Sequence, residues 1–269
     1  MKNIKYLMES DEEALRLDIK TDSKSVRKQA LWAGIKPGMR VLDVCCGPGK
    51  TSSILHKLVE PRGTVVGVDF SDNRIRYARK HYSNKGIQFR IRNILDHLDD
   101  LGKFDFIWIR FVLEYYCSES LAIVRNISKI LKPGGVICLI DLDHNCLSHY
   151  GLSRRLEKTL FSLMKFLESK ADFDPYAGRK LYSYLYRLGY EKIDVFVTAH
   201  HLIYGEIKDT DWINWKRKIQ IAPGRVRYPF QEYKGGYKEF NEEFDQFFSD
   251  PARFTYTPII SCRGQKPEE

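Results

Sequence analysis

Val41-Leu42-Asp43-Val44-Cys45-Cys46-Gly47-Pro48-Gly49 is where a buried strand pattern meets a glycine turn. A helical pattern opens directly after it, at Thr51. Glycines in such a turn let the backbone approach a ligand where a β-carbon would collide. Asp69 ends the next β-branched run, 22 residues beyond Gly47. An acidic residue roughly 20 residues past the glycines is placed to grip both hydroxyls of a ribose. Together these features imply an adenosine-type cofactor at the C-terminal edge of a parallel sheet.

Working outward, strand patterns fall at 40–45, 64–69, 87–92, 104–109 and 136–141. Helical patterns fall between them at 51–59, 72–82, 112–116 and 119–131, the last stopped by Lys132-Pro133-Gly134-Gly135. Near-continuous apolar strands alternating with helices predict a parallel sheet covered on both faces. Upstream, Ser10 is placed to cap a helix through Asp11, Glu12 and Glu13, and a second helix is expected at 23–33. Downstream, Leu156, Leu160, Leu163, Met164 and Leu167 form an amphipathic stripe within 153–169. Helices are expected at 179–188, 206–221 and 237–248, strands at 193–199 and 254–262, and a frayed polar tail at 263–269. The expected fold is α/β: a Rossmann-like, seven-stranded, mostly parallel sheet with helices on both faces and a helical cap. Its expected parts are a helical lid (1–36), a cofactor-binding core (37–145), a cap insertion (146–178), core continued (179–200), a second cap insertion (201–252), and a last strand with tail (253–269).

Composition narrows the class. The chain has 269 residues, 43% hydrophobic and 29% charged, which excludes disorder, collagen-like repeats and a disulfide miniprotein. No run approaches the ~20 apolar residues of a membrane span. The first twenty residues lack an apolar signal core. None of the six cysteines forms a C-x-x-C pair. This suits reduced thiols in a cytoplasmic protein, without a zinc site. A net charge of +9 allows an anionic partner without demanding one.

Three cofactor classes compete for the glycine turn. A dinucleotide fingerprint needs a third glycine where Ser52 stands. Gly49-Lys50-Thr51 matches the end of a P-loop, but Val44 replaces its first glycine and Pro48 removes an N–H from the phosphate cradle. S-adenosylmethionine needs the close backbone approach and no pyrophosphate cradle.

VLDVCCGPG (41–49), GVDFSDNRIRYAR (67–79), the Asn93 segment, FDFIWIRFVLEY (104–115) and LKPGGVICLID (131–141) resemble the successive motifs of class I S-adenosylmethionine-dependent methyltransferases. The resemblance covers about 38–142 and the last two strands, with a type 11/25-like domain. The Cys45-Cys46 form of the first motif is similar to that of ubiquinone and menaquinone biosynthesis methyltransferases.

The resemblance implies roles. Asp43, Cys45, Gly47 and Gly49 would line the methionyl part, Asp69 would hold the ribose, and Phe70 would pack on adenine. Asn93 and Ile94 stand where the family often has an acidic residue and a backbone donor to adenine. The Arg110 carbonyl would meet the methionyl ammonium, and Arg16, on the lid helix, the cofactor carboxylate. S-adenosylhomocysteine would be the product.

Methyl transfer is an in-line displacement with an activated leaving group, so alignment and exclusion of water matter most. His144, Tyr115 and Asp143, past the fourth and fifth strands, are the catalytic candidates. His144 has the best ordinary pKa for a base. Arg110 where a metal-binding carboxylate would be needed argues for a metal-independent reaction. Aromatic-rich segments at 146–177 and 201–250 suit a small or medium organic acceptor. Two alternatives stand beside this reading. One is an RNA or tRNA methyltransferase, suggested by Arg74, Arg76, Arg79, Lys80 and by Trp215-Lys216-Arg217-Lys218. The other is a non-catalytic cofactor-binding or interaction protein. Cap helices that pair would make an oligomer.

Overall fold

The computed structural model describes residues 13–268. The Ser10 cap lies outside them. Two helices, α1 (Glu13–Lys20) and α2 (Ser23–Ala33), precede the sheet. Asp22 caps α2 by accepting the Lys24 and Ser25 N–H groups at 3.0 and 3.3 Å, and Gly34 closes it at φ +92°. The alternation then runs β1 (Arg40–Val44), α3 (Lys50–Val59), β2 (Thr64–Asp69), α4 (Asp72–Tyr82), β3 (Ile87–Ile91), β4 (Phe104–Arg110), α5 (Ser120–Ser128) and β5 (Leu131–Leu142). After it come β6 (His149–Tyr150), α6 (Arg154–Ala171), α7 (Ala177–Arg187), β7 (Glu191–Ile203), α8 (Asp209–Val226), α9 (Gly236–Ser249) and β8 (Phe254–Gln265).

The strand order is β3-β2-β1-β4-β5-β8, with β7 on the far side of β8. Strands β1 to β5 are parallel, and β8 runs antiparallel to both β5 and β7. These are the seven expected strands. The two-residue β6 adds an eighth, pairing with Phe254 and Thr255 of β8 beyond the stretch that β5 occupies. From β1 the chain builds outward to β2 and β3, then returns to add β4 and β5 on the other side. The crevice between β1 and β4 is therefore the switch point, where ligands of open α/β sheets bind.

Period-two alternation divides the core between two faces. Leu42, Val44, Val66, Val68, Ile107 and Ile109 pack on the face covered by α5 and α7. Val41, Val65, Phe106 and Trp108 pack on the face covered by α2, α3 and α4. A third cluster forms the cap, where the expected α6 stripe meets Trp215 and Ile219 of α8 and Phe240, Phe244, Phe247 and Phe248 of α9.

Some boundaries differ from the sequence reading. Residues 112–116 make a 3-10 turn over Leu113–Tyr115, tied down where Asp141 accepts the Glu114 N–H at 3.1 Å. Helix α8 continues past Ile221 through Pro223 to Val226. The tail is not frayed at its start. Arg263 to Gln265 belong to β8, and Lys266 donates to the Ser128 and Leu131 carbonyls at 2.8 and 2.9 Å. Polar side chains concealed this, because position between two neighbouring strands, not side-chain polarity, orders that backbone.

Candidate functional site

Strand β1 delivers the glycine turn to the switch point. Cys45 and Gly47 adopt φ +54° and +55°, and the Cys46 N–H donates to the Val68 carbonyl at 2.9 Å. Gly49 caps α3 at φ +92°. A β-carbon there would stand 2.8 Å from both Ala78 and Phe89, so glycine lets α3 dock against α4 and β3. At Gly47 a β-carbon would meet, among the described residues, only Leu17 of α1, at 3.7 Å.

Strand β2 delivers Asp69 beside the turn. One carboxylate oxygen accepts the Gly47 N–H at 3.0 Å. The other accepts the Ser71 N–H at 2.9 Å and the Arg74 guanidinium at 3.1–3.2 Å. Phe70, 42% exposed, offers a ring face with Arg74 5.0 Å from its centroid. Turn, Asp69 and Phe70 all line a cavity of about 780 Å³.

The rest of that cavity is assembled from distant segments. Lys20, Leu17 and Gln29 come from α1 and α2, Arg110 from β4, and Leu160, Leu163 and Met164 from α6. Trp215 and Lys218 come from α8 and Phe244 from α9. Arg110 donates to the Gln29 side-chain oxygen at 3.2 Å and lies 4.0 Å from the Phe111 ring centroid. Burial pulls its guanidinium down to about 10.

Glu114, Asn145, Cys146 and Lys218 gather at one polar patch of the wall. Asn145 donates to Glu114 at 2.8 Å, while Lys218 stands 3.5 Å from the Asn145 oxygen and 3.8 Å from the Cys146 sulfur. Burial raises the Glu114 carboxyl, with Lys218 and Lys20 partly opposing the shift. Burial, and then Lys218 and Arg16, push Lys20 down to about 7. His200 and His201 also line the cavity, and burial lowers both imidazoles, His201 to about 2. Both rings are therefore uncharged at neutral pH.

The structure brings Arg16, Cys45, Gly47, Asp69, Phe70, Arg110 and Tyr115 to the cavity wall. Arg16 is also held by Glu13 at 2.6 and 2.7 Å, and the Tyr115 ring lies 5.7 Å from Phe173. Gly49 and Asp43 stand behind the turn rather than on the wall. Asn93 and Ile94 are not brought to it either. The Asn93 side chain accepts the Leu95 N–H at 3.1 Å, and Ile94 is buried in the core. Two of the three catalytic candidates are likewise elsewhere. Asp143 makes a bidentate pair with Arg179 at 2.8 and 2.9 Å, and His144 lies edge-on to Tyr176 at 5.2 Å.

Lys20, Gln29 and His200 carry no role in the sequence reading, and Lys218 enters it only within the basic run 215–218. Helical spacing carries the signal for two of them. Lys20 is four residues from Arg16, and Lys218 three from Trp215, so each shares a face with a cavity residue.

Asp43 supports the turn from behind. It is 2% exposed and accepts the Ser52 hydroxyl at 2.6 Å. Burial pushes its carboxyl up to about 7. An acid raised on folding contributes stability that is complete below its unfolded value, near 3.8, and lost as pH climbs through about 7. Asp43→Asn keeps the acceptor for Ser52 and removes the titration. The melting temperature of the variant minus that of the parent should therefore increase from pH 5 to pH 8. A difference that stays constant with pH would refute the shift.

Comparison with known proteins gives these features a setting. A family model described as a methyltransferase domain matches residues 35–189. The demethylmenaquinone methyltransferase of Lactococcus lactis subsp. lactis (strain IL1403) is 32% identical over 136 residues, 47% of this chain and 54% of that protein. The demethylmenaquinone methyltransferase of Staphylococcus carnosus (strain TM300) is 35% identical over 107 residues, 39% of this chain and 44% of that protein. The chain thus spans about half the length of the curated relatives it matches. Among solved structures, Haemonchus contortus phosphoethanolamine N-methyltransferase 2 in complex with S-adenosyl-L-methionine superposes with a TM-score of 0.57 at 15% identity, over 96% of this chain and 57% of that one. The YcgJ protein of Bacillus subtilis superposes at 0.55 and 17% identity, over 92% of this chain and all of that one. The two superpositions show a shared fold. The family model spans more than half of the sequence, from the segment before the glycine turn through α7, and the chain belongs to the class I S-adenosylmethionine-dependent methyltransferase family.

Proposed function

We propose that the protein transfers the methyl group of S-adenosylmethionine to a small or medium organic acceptor. The observation that carries this reading is one cavity with two unlike ends. The glycine turn, Asp69 and Phe70 border one end, and the apolar cap helices with the Glu114 patch border the other. The cofactor end suits the molecule in kind. A carboxylate that already orders Gly47 can accept ribose hydroxyls, and Phe70 offers a face to adenine. Gly47, Cys45, Arg110 and Gln29 border the space left for the methionyl group.

S-adenosylmethionine supplies an electrophilic sulfonium methyl group when bound. The chain's own residues then align the acceptor and keep water out. Leu160, Leu163, Met164 and Phe244 supply the dry wall. Glu114 and Asn145, fixed on each other, orient a polar group of the acceptor. They take the place that the sequence reading gave to His144 and Asp143. Lys20, Lys218 and Arg110 on the same wall oppose a divalent cation there, which supports a metal-independent displacement.

The basic runs give the nucleic-acid alternative little support. Arg76 pairs with Asp72 at 2.7 Å, Arg79 donates to the Phe89 carbonyl, Lys216 pairs with Asp245 at 2.5 Å, and Lys218 lines the cavity. Among the described residues no helix is long and apolar enough to cross a membrane.

Calorimetric titration of S-adenosylmethionine into the protein should give binding in the micromolar range. Labelled methyl groups should then pass into an extract of small molecules. Absence of binding to folded protein would overturn the cofactor assignment. Binding without transfer into any extract would support the inert alternative.

A further inference from the structure

Two half-buried lysines, Lys20 and Lys218, share the wall of one cavity and together favour an anion there. Lys20 lies on the wall with no hydrogen-bond partner among the described residues. The polar contacts of Lys218, at 3.5 and 3.8 Å, are at the outer limit of hydrogen bonding. Its ammonium also stands 4.6 Å from the Trp215 ring centroid. A charge withdrawn from water is costly unless it is paired.

Glu114, Asp22, Asp69 and Asp211 line the same cavity; Asp69 is held by Gly47, Ser71 and Arg74, and of the four Glu114 is the one that acts on Lys20. Glu114 faces both lysines, but it is already bonded to Asn145. Asp141 is spent on the Glu114 and Leu142 N–H groups, Asp22 on the start of α2, and Glu13 on Arg16. Arg110 adds a further positive charge to the same wall. A sulfonium donor would add one more, so like charges would accumulate unless the second substrate offsets them.

We propose that the methyl acceptor is an organic anion on an apolar body, with its acidic group seated between Lys20 and Lys218 and its hydrocarbon part against α6 and α9. This deepens the methyl-transfer reading and rests on it. Carboxylate, phenolate and enolate share the required chemistry. The apolar body is demanded by Leu160, Leu163, Met164 and Phe244, none of which offers a polar atom to a ligand. Because Lys20 sits on α1 and Lys218 on α8, the bound anion would also bridge the lid to the cap.

The assembly has a pH signature. Lys20 faces Lys218 from α8, Arg16 on its own helix, Arg110 from β4 and Glu114 from the turn after β4. His200 and His201, which feel Lys20 from β7, are uncharged at neutral pH. Lys20 loses its proton as pH rises through about 7, and the raised Glu114 carboxyl gains negative charge in the same direction as pH rises. Both changes weaken anion binding as pH increases.

The test uses two fluorescent probes with one aromatic skeleton. 8-Anilinonaphthalene-1-sulfonate carries an anion that stays ionised, and N-phenyl-1-naphthylamine does not. The full chain should bind the sulfonate at least ~10-fold more tightly at pH 6, since one well-placed charge contact contributes about a factor of ten or more. That preference should shrink at pH 8.5. Lys20→Met or Lys218→Met should remove most of it while leaving the neutral probe unchanged, and Lys218→Arg should preserve it. Equal affinity for the two probes in the parent protein overturns the proposal, and this arm needs no variant to fold. Full retention of the preference in both methionine variants also overturns it. Titration of S-adenosylhomocysteine in parallel separates the two readings. Its failure to bind removes the methyl-transfer reading, whereas failure of the probes with the cofactor product bound normally removes only the anion.

Discussion

Asp69→Ala should bind S-adenosylhomocysteine about 10- to 150-fold more weakly than the parent, a loss of about 1.5–3 kcal/mol for charge-assisted hydrogen bonds. The effect has two sources. The carboxylate is the group proposed to accept the ribose hydroxyls. It also fixes Gly47 through its N–H at 3.0 Å and holds the guanidinium of Arg74, which is only 4% exposed. Removing it therefore loosens the turn that faces the methionyl group and takes away the carboxylate partner of a buried cation. Asp69→Asn, which keeps the shape and one acceptor oxygen, should fall between the two. Calorimetric titration of the three proteins measures the series. A folded Asp69→Ala protein with unchanged affinity would place the ribose elsewhere.

Phe248→Ala should destabilise the protein by about 3–5 kcal/mol, as large aromatic truncations in cores do. Phe248 is fully buried, with ring centroids of Phe244, Phe247 and Trp215 at 4.7, 5.0 and 5.1 Å. Arg253, from the segment leading into β8, lies 5.8 Å from the same ring. The vacancy would thus open between α8, α9 and the start of the last strand, where rigid neighbours cannot collapse into it. A melting temperature lower by on the order of 10 °C is expected for a chain of this size. Tyr150→Ala, at a residue 75% exposed, should stay within about 0.5 kcal/mol of the parent. Thermal melts of both variants check the contrast. Phe248→Ala melting with the parent would mean that the cap core adds little to global stability.

The α/β core was legible because each of its signals is local. Near-continuous apolar runs mark β1, β2 and β4, and a glycine turn followed by an acidic strand end marks the cofactor edge. The acceptor end was not legible in the same way. Its polar patch is drawn from Lys20, Glu114, Asn145 and Lys218, which are up to 198 positions apart. Only packing of the cap onto the strand ends brings them together. His144 was attractive for its ordinary pKa, which says nothing of direction. The backbone at φ +48° leaves its ring edge-on to Tyr176 instead of on the cavity wall. Lys218 stands in the basic run 215–218 that suggests an RNA partner, although Trp215, three residues earlier, marks the inward face.

The place of β8 in the sheet sets an order on biosynthesis. Strand β8 lies between β5 and β7, and it is the pairing partner of β6 and β7. As the chain leaves the ribosome, β1 to β5 can pair as they emerge, whereas the thirteen residues of β7 must wait through α8 and α9 for theirs. During that interval the nascent protein carries an open strand edge on β5 and an unpaired β7, both of which template association between chains. Strand β8, which emerges only after α8 and α9, thus seals the sheet and draws the cap insertion between β7 and β8 into position over the cavity.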